Sequence, residues 1–265
     1  MRVFVEGVGL LGPGLNGWPT SRAMLAGEAQ YVLSSAIVPA GNLLPAAERR
    51  RTGLPVKLAL AAGQEAFVHA GRDAALTASV FTSSAGDGEN LHHICTTLAS
   101  PEREISPTRF HNSVHNAPAG YWSIATRAQT ASTSLCAHDA SFAAGLLDAA
   151  AQVAVDGIAV ALIAYDQPYP EPLHSVRPID ASFGAALVLA PRAGEHAFAA
   201  LDISFESGPA EVGRLMDDDL DALSGRVPAA RCLPLLAVLA RDTTAIVVLA
   251  YGDKNHLRIE VTPWH

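Results

Sequence analysis

The chain has 265 residues, of which 49% are hydrophobic and 17% are charged, enough to bury a substantial core and too apolar for a disordered or fibrous protein. Its net charge is −8, and only two of its 18 basic residues are lysines, Lys57 and Lys254, which argues against a nucleic-acid partner. No run reaches about 18 uncharged apolar residues, as a membrane span would need. The start lacks the apolar core of a signal peptide, so we expect a cytoplasmic protein with no membrane segment.

Strand and helix patterns alternate along the chain, which predicts an α/β fold. In the first half the patterns predict a strand at Val3–Leu10, helices at Trp18–Ala26 and Pro55–Ala70, a strand at Ala78–Ser83, and a helix from the turn Gly86–Gly88 through Leu98. Residues 106–129 are rich in Asn, His, Ser and Pro, which favours helical turns near a functional surface.

The second half begins with a predicted βαβ unit. Its parts are a strand at Ala131–Leu135, a helix at Ala137–Val155 and a buried strand over residues 158–165. A Pro-rich loop over residues 168–178 follows, and after it come strands at Phe183–Leu189 and Phe198–Phe205, helices within 213–225 and at Leu235–Leu239, and strands at Ala245–Tyr251 and Leu257–Val261. No linker-like run interrupts the chain, so we expect one domain over residues 1–265.

Cys136 is the main candidate for chemistry, because it lies between a small-residue strand and a predicted helix. A helix N-terminus there would supply N–H groups that favour a thiolate and an oxyanion. The alternative is a small buried hydrophobic residue. Asp139 lies in the first predicted turn, where its charge would oppose thiolate formation. The other two cysteines, Cys95 and Cys232, are interpreted as structural.

Several histidines and glycines invite further hypotheses. His111 and His115 are four residues apart and could ligate a metal from one helix face, but no H-E-x-x-H pattern accompanies them, and we expect neither metal nor cofactor. Gly7, Gly9 and Gly12 match G-x-G-x-x-G inside the first strand rather than after it, so they are interpreted as strand-end and turn glycines.

The order of segments resembles the N-terminal half of a β-ketoacyl synthase, the condensing enzyme of fatty acid and polyketide synthesis, which has a thiolase-like layered fold. The similar segments are RVFVEGVGLLGPG, SRAMLAGEA, KLALAAGQEAF, SVFTSSAGDG, SPTRFHNSVHNAPAGYWSIAT, TSLCAHDASFAAGLLDAA and VRPIDASFGAALVLAP. The resemblance covers residues 1–191. It implies that residues 192–265 are a shortened C-terminal remnant, because they are too few for a second thiolase half.

The resemblance places Cys136 where the family has its acyl-accepting cysteine. Two histidines of the family's C-terminal half complete the site, in His-Gly-Thr-Gly-Thr and Gly-His settings. This chain has neither setting, and His256 and His265 match neither pattern. The residues after Cys136, Ala137 to Asp139, also differ from the small and hydroxyl residues usual there.

These features resemble the short ketosynthase-like subunits of type II polyketide systems of the aryl polyene type. They imply a non-autonomous, chain-length-factor-like partner of a complete ketosynthase, working with an acyl carrier protein in a heterodimer whose interface includes the strand before Cys136. Candidate substrate or partner contacts are Phe110, His111, His115, Trp122, His138 and Phe142. The alternative is an active acyltransferase that uses Cys136 as nucleophile, with His111, His115 or His138 in place of the missing pair.

Overall fold

The computed structural model describes residues 1–265 as helices packed around a nine-stranded mixed sheet. The strands are β1 (Arg2–Gly12), β2 (Leu15–Asn16), β3 (Ala78–Thr82), β4 (Ser132–Leu135), β5 (Val160–Asp166), β6 (Phe183–Ala190), β7 (Ala199–Ser207), β8 (Ala245–Tyr251) and β9 (Asn255–Pro263). The helices are α1 (Trp18–Ala26), α2 (Ala46–Arg49), α3 (Leu54–Ala70), α4 (Gly88–Ala99), α5 (Pro107–His111), α6 (Ala117–Thr126), α7 (Ser141–Asp156), α8 (Leu173–Val176), α9 (Asp218–Arg226) and α10 (Leu233–Arg241). Short 3₁₀ turns lie at Ala74–Leu76, His138–Ala140 and Pro228–Cys232.

The strand order is β4-β3-β5-β6-β1-β7-β9-β8, with β2 paired to β1 as a short hairpin. Strands β4, β3 and β5 are parallel, and every other pairing is antiparallel. The parallel set therefore brings the carboxyl ends of three strands to one edge of the sheet, where connecting loops commonly form a site.

Side chains of the central strands alternate between two apolar layers, as a two-sided buried sheet requires. In β5, Val160, Leu162 and Ala164 point to the layer formed with α1, α7 and α10, whereas Ile163 and Tyr165 point to the layer formed with α3 and α6. The α/β fold predicted from the alternating pattern is confirmed. No helix combines the length and hydropathy needed to cross a bilayer.

The glycines of β1 allow α3 to pack directly on the strand backbone. A Cβ atom at Gly9 would lie 1.9 Å from the carbonyl oxygen of Ala62, and one at Gly7 would lie 2.1 Å from that of Ala66. Both glycines lie inside β1, so the G-x-G-x-x-G match reflects helix–sheet contact rather than a phosphate loop.

Polar side chains of α3 bond to the part of β1 that β7 does not reach. Strand β7 pairs with β1 only as far as Val5. Beyond it, the amide of Val8 donates to His69 Nδ1 at 3.1 Å, and the amide of Leu10 donates to Glu65 Oε2 at 2.8 Å. Buried main-chain donors without a strand partner thereby obtain acceptors from the helix.

Residues 192–265 extend the same sheet and cover one of its faces. Strands β7, β9 and β8 continue the sheet outward from β1, and α9 and α10 pack on the layer that contains α7. The predicted helix within 213–225 begins only at Asp218. Asp217 caps it by accepting the amides of Asp219 and Leu220, which agrees with reading this acidic run as a helix start.

Candidate functional site

Cys136 lies where the three parallel strands end. It directly follows β4, whose neighbour β3 leads into Ser83 and Ser84, and β5 ends with Asp166 on the far side of β3. The residue is exposed. The sequence therefore placed this cysteine correctly at a strand end.

The helix N-terminus expected directly after Cys136 is not there. Helix α7 begins at Ser141, five residues later, because His138 adopts a left-handed backbone with φ of 53° and starts a 3₁₀ turn. The hydroxyl of Ser141 accepts the amide of Ala137 at 3.0 Å and donates to the carbonyl of His138 at 2.7 Å. These bonds hold a tight elbow, so the prediction of a helix over Ala137–Val155 was wrong at its start.

The thiol of Cys136 donates a hydrogen bond to the carbonyl oxygen of Ser84, with 2.8 Å between Sγ and O. A carbonyl oxygen accepts the thiol proton and has no hydrogen to donate to a thiolate. No histidine nitrogen hydrogen-bonds to this sulfur. The observed contact thus suits a neutral thiol and supplies no general base.

A buried carboxylate, Asp166, organises the Ser84 side of the site. Its Oδ1 accepts Ser84 N at 2.9 Å, Ser84 Oγ at 2.8 Å and Ser83 Oγ at 3.1 Å, and its Oδ2 accepts Ala229 N at 2.8 Å. Burial raises the pKa of Asp166, while these hydrogen bonds act to lower it. The Tyr169 hydroxyl lies 3.1 Å from Ser84 Oγ and completes the network.

A second carboxylate, Asp139, fixes the other side of the elbow. Its Oδ1 lies 2.7 Å from Arg177 Nη2 and its Oδ2 lies 3.0 Å from Arg231 Nη2. Asp139 therefore forms ion pairs with two arginines beside the thiol. The 3₁₀ turn Pro228–Cys232 contacts both carboxylates. Its Arg231 side chain bonds to Asp139, and its Ala229 amide donates to Asp166.

The three histidines proposed near the thiol are dispersed. His138 has a largely exposed side chain, and its Nδ1 lies 3.5 Å from Asp139 Oδ1. His111 ends α5 and its ring packs edge-on against Tyr121, with 6.3 Å between centroids. His115 lies beyond the end of α5, beside Gly86, so His111 and His115 do not share a helix face. No group of three or more His, Cys, Asp or Glu residues is placed to hold a metal ion.

The three aromatic candidates occupy different environments. Phe110 is exposed on α5, with 68% of its surface accessible. Trp122 is buried in the α3 layer, where its ring centroid lies 5.5 Å from that of Phe67. Phe142 is almost wholly buried and borders a cavity of about 230 Å³ between α7 and residues 212–250. Only Phe110 presents an accessible ring.

Two histidines of the C-terminal segment, His256 and His265, lie at the other side of the sheet. His256 belongs to β9, which is six strands from β4, a separation of roughly 29 Å at normal strand spacing. His265 lies near Asp242, just after α10. Neither histidine lies near Cys136, so neither can replace the two histidines that complete the site in the family.

Two features near the site leave surface uncovered, the outer edge of strand β4 and a group of exposed apolar residues. Strand β4 pairs only with β3, so its other edge is free. Helix α4, which follows β3, exposes Leu91, Cys95 and Leu98 at helical spacing, and Phe110 and Val114 are exposed close by in the chain. We call these five residues the α4 stripe. Exposed apolar residues grouped in this way are typical of an interaction surface.

Sequence reasoning missed Asp166, Ser84 and the turn that contains Ala229. An aspartate that ends the fully apolar run of β5 was a usable signal, because a buried acid requires donors. Nothing in the sequence indicates that Ala229 would be one of those donors.

Comparison with known proteins places this arrangement in a family. The sequence profile described as "Beta-ketoacyl synthase, N-terminal domain" matches residues 21–248. A search of curated protein sequences finds no significant match.

Several solved structures are similar over their whole length. A chain of the ketosynthase in complex with its chain length factor from Xenorhabdus doucetiae is 23% identical, with a TM-score of 0.74 over 98% of this chain and 99% of that one. The ishigamide ketosynthase/chain length factor is 14% identical, with a TM-score of 0.73 over 100% and 99% of the two chains. A type II polyketide synthase acyl-carrier protein in complex with its ketosynthase bound to the hexaketide is 12% identical, with a TM-score of 0.77 over 99% of each chain.

At these identities the structural likenesses establish the fold, and the profile match, which spans well over half of the chain, establishes the family. Both findings confirm the resemblance drawn from the order of sequence segments. This chain belongs to the β-ketoacyl synthase N-terminal domain family and has the thiolase-like fold of that half of the enzyme.

Proposed function

We propose that this chain is a non-autonomous, chain-length-factor-like subunit that pairs with a complete β-ketoacyl synthase in fatty acid or polyketide biosynthesis of the aryl polyene type. In that complex it would shape the space available to the growing acyl chain, while the partner performs condensation and an acyl carrier protein delivers the chain.

One observation carries the proposal. The only hydrogen-bond partner of the Cys136 thiol is the carbonyl of Ser84, and His256 and His265 lie at the far side of the sheet. A thiol nucleophile normally needs a base or a donor close by. A chain with the fold of a condensing enzyme but without this equipment is better suited to a supporting role.

The comparisons support the same role. In the Xenorhabdus doucetiae complex, a ketosynthase is bound to its chain length factor, and the matched chain there is nearly as long as this one. At 23% identity this similarity establishes a shared fold, and the partner role is tested by the experiments below.

The free edge of β4 and the α4 stripe are the surface best suited to the ketosynthase partner. An unpaired edge strand offers backbone groups for pairing with another chain. The α4 stripe adds an apolar surface on a helix that follows β3, the strand paired with β4. The strand edge offers hydrogen-bonding groups and the stripe offers apolar area, the two components that stable subunit interfaces combine.

Beside the site lies a polar groove suited to the phosphate of a carrier protein's prosthetic arm. The groove has a volume of about 560 Å³ and is lined by Arg50, Arg51 and Arg109 together with two acidic residues, Asp87 and Glu89. Neither Arg50 nor Arg109 forms a side-chain ion pair, so both guanidinium groups can bind an anion. This placement is consistent with the acyl carrier partner in the proposed complex.

The partner role is tested by co-expression with a complete ketosynthase encoded beside this gene. We expect the two chains to co-purify, and we expect Leu98→Asp combined with Phe110→Asp to reduce the recovered complex at least tenfold, because both changes put charges into the α4 stripe. Val155→Asp is the matched control, since Val155 is 82% exposed near the end of α7, outside the stripe. Absence of any complex with the wild-type chain would overturn the proposal.

Acyl loading tests the alternative, in which Cys136 works as an acyltransferase nucleophile. The isolated chain is incubated with an acyl carrier protein thioester and its intact mass is measured. We expect no stable adduct. An adduct that disappears in Cys136→Ala but persists in Cys95→Ala, the other exposed thiol, would establish acyl transfer and rule out a purely supporting role.

A further inference from the structure

We propose that Asp166 is a positioning residue for Cys136: through Ser84 it fixes the carbonyl that accepts the thiol proton, and so keeps this exposed cysteine unreactive. The inference concerns the isolated chain and does not depend on the partner role. It assigns control of the thiol's reactivity to a buried network rather than to the absence of histidines alone.

The first step is geometric. Asp166 binds both the amide and the hydroxyl of Ser84, at 2.9 Å and 2.8 Å, so two contacts orient this one residue. The carbonyl of the same residue accepts the Cys136 thiol at 2.8 Å. Because Ser84 is held at its amide and its hydroxyl, its carbonyl cannot easily turn away from the sulfur. The side chain of Asp166 thereby sets the position of a group that it does not touch.

The second step concerns charge. Asp166 is the acceptor in all four of its hydrogen bonds, so the network is complementary to an ionised carboxylate. A buried negative charge near a thiol opposes formation of the thiolate, which is the reactive form. The carboxylate and the fixed carbonyl therefore act in the same direction. The other titratable or charged groups around the thiol are Asp87, His138, Asp139, Tyr165, Tyr169, Arg177 and Arg231.

The third step links the network to the C-terminal segment. The amide of Ala229 is the only donor to Oδ2 of Asp166, and it belongs to the 3₁₀ turn Pro228–Cys232. Displacement of this turn would free one side of the carboxylate and allow the Ser84 carbonyl to move. The reactivity of Cys136 is thus tied to residues that lie more than 90 positions later in the chain.

The three cysteines make the test internally controlled. The full chain is treated with iodoacetamide under limiting conditions between pH 6 and pH 9, and the alkylated fraction of each cysteine is measured by peptide mass spectrometry. Cys95 is exposed on α4 and reports general thiol reactivity. Cys232 is completely buried and becomes alkylated only where the chain unfolds.

The decisive variant is Asp166→Asn, which keeps the size of the side chain and removes its charge. We expect the ratio of Cys136 to Cys95 alkylation to rise about tenfold at pH 7, because a charged carboxylate no longer holds the Ser84 carbonyl against the thiol. An unchanged ratio at every pH tested, with Cys232 still protected, would overturn the proposal.

A second variant decides the matter if Asp166→Asn unfolds and Cys232 becomes alkylated. Ser84→Ala removes one bond to Asp166 and leaves the carbonyl of residue 84 in the chain. We expect a smaller rise in the Cys136 to Cys95 ratio, about threefold, because the amide bond to Asp166 remains. No rise in this folded variant would equally overturn the proposal. These outcomes are independent of complex formation with a ketosynthase, so failure here and failure of the proposed function can be told apart.

Discussion

The backbone amide of Ala229 donates a 2.8 Å hydrogen bond to the buried carboxylate of Asp166, joining residues 63 positions apart. This bond attaches the C-terminal segment to the strand end beside Cys136. A polar contact buried this deeply is costly to lose, because a group left without its partner keeps its full desolvation penalty.

We expect Asp166→Ala to destabilise the fold by about 3 kcal/mol, since the amides of Ser84 and Ala229 would both lose their acceptor. The measurement is urea unfolding followed by circular dichroism. Asp156→Ala is the control, because Asp156 is exposed at the end of α7 and should change stability by less than about 0.5 kcal/mol. Equal stability of the two variants would show that the network is not structural.

The contact between β1 and α3 predicts a strong penalty for any side chain at Gly9. In Gly9→Ala the new Cβ would meet the carbonyl oxygen of Ala62 at 1.9 Å, so the helix must move away. We expect a loss of about 3 kcal/mol, measured as a reduced melting temperature. Gly120→Ala on α6 meets no atom within 4 Å and should instead stabilise the chain by about 0.5 kcal/mol.

The burial of His69 predicts a loss of stability on acidification. Burial lowers the pKa of His69, and Arg22 and His196 act in the same direction. The unfolded chain then binds the proton more readily, so the contribution of His69 is complete above its unfolded pKa of about 6.5 and is lost as the pH falls through the lower, folded value.

The prediction for His69 is tested by urea unfolding at pH 7.5 and pH 5. We expect the wild-type chain to lose more stability over this range than His69→Gln, which cannot titrate. His93→Gln, a change at an exposed histidine of α4, should behave like wild type. If His69→Gln shows the same pH dependence as wild type, the sensitivity lies elsewhere.

The ion pairs of Asp139 predict a measurable coupling with Arg177. A double-mutant cycle with Asp139→Ala and Arg177→Ala should give a coupling free energy of about 1 kcal/mol, towards the upper end for a partly exposed ion pair. The reason is the short distance of 2.7 Å between Arg177 Nη2 and Asp139 Oδ1. We expect the coupling to fall at 1 M salt, where screening is strong. A cycle between Asp139 and Arg214, which borders the same cavity without pairing to Asp139, should give a value near zero.

The expectations for Cys136 show how local and distant information differ. Small residues before it and an Ala-rich helix after it correctly predicted a strand end followed by a helix. The sequence pattern did not reveal the left-handed backbone at His138, because a single residue in that conformation leaves no periodic signal. The helix therefore begins at Ser141. The prediction that its N-terminal N–H groups would lie directly after the Cys136 thiol was wrong.

The aromatic candidates illustrate the same limit. Phe110, Trp122 and Phe142 all lie in or beside segments that resemble the family, and the sequence offered no means of separating them. The structure exposes Phe110, encloses Trp122 against Phe67 and places Phe142 at a cavity wall. Burial of this kind depends on which helices cover each face of the sheet.

Local periodicity and the order of short motifs were enough to predict the α/β class, the family, the position of Cys136 and the absence of the family's two histidine settings. The surroundings of the thiol follow only from the folded arrangement. Ser84, Asp166 and Ala229 meet there because three parallel strands end together and a distant turn folds back over them. Contacts across such separations are set by the strand order, which no local pattern records.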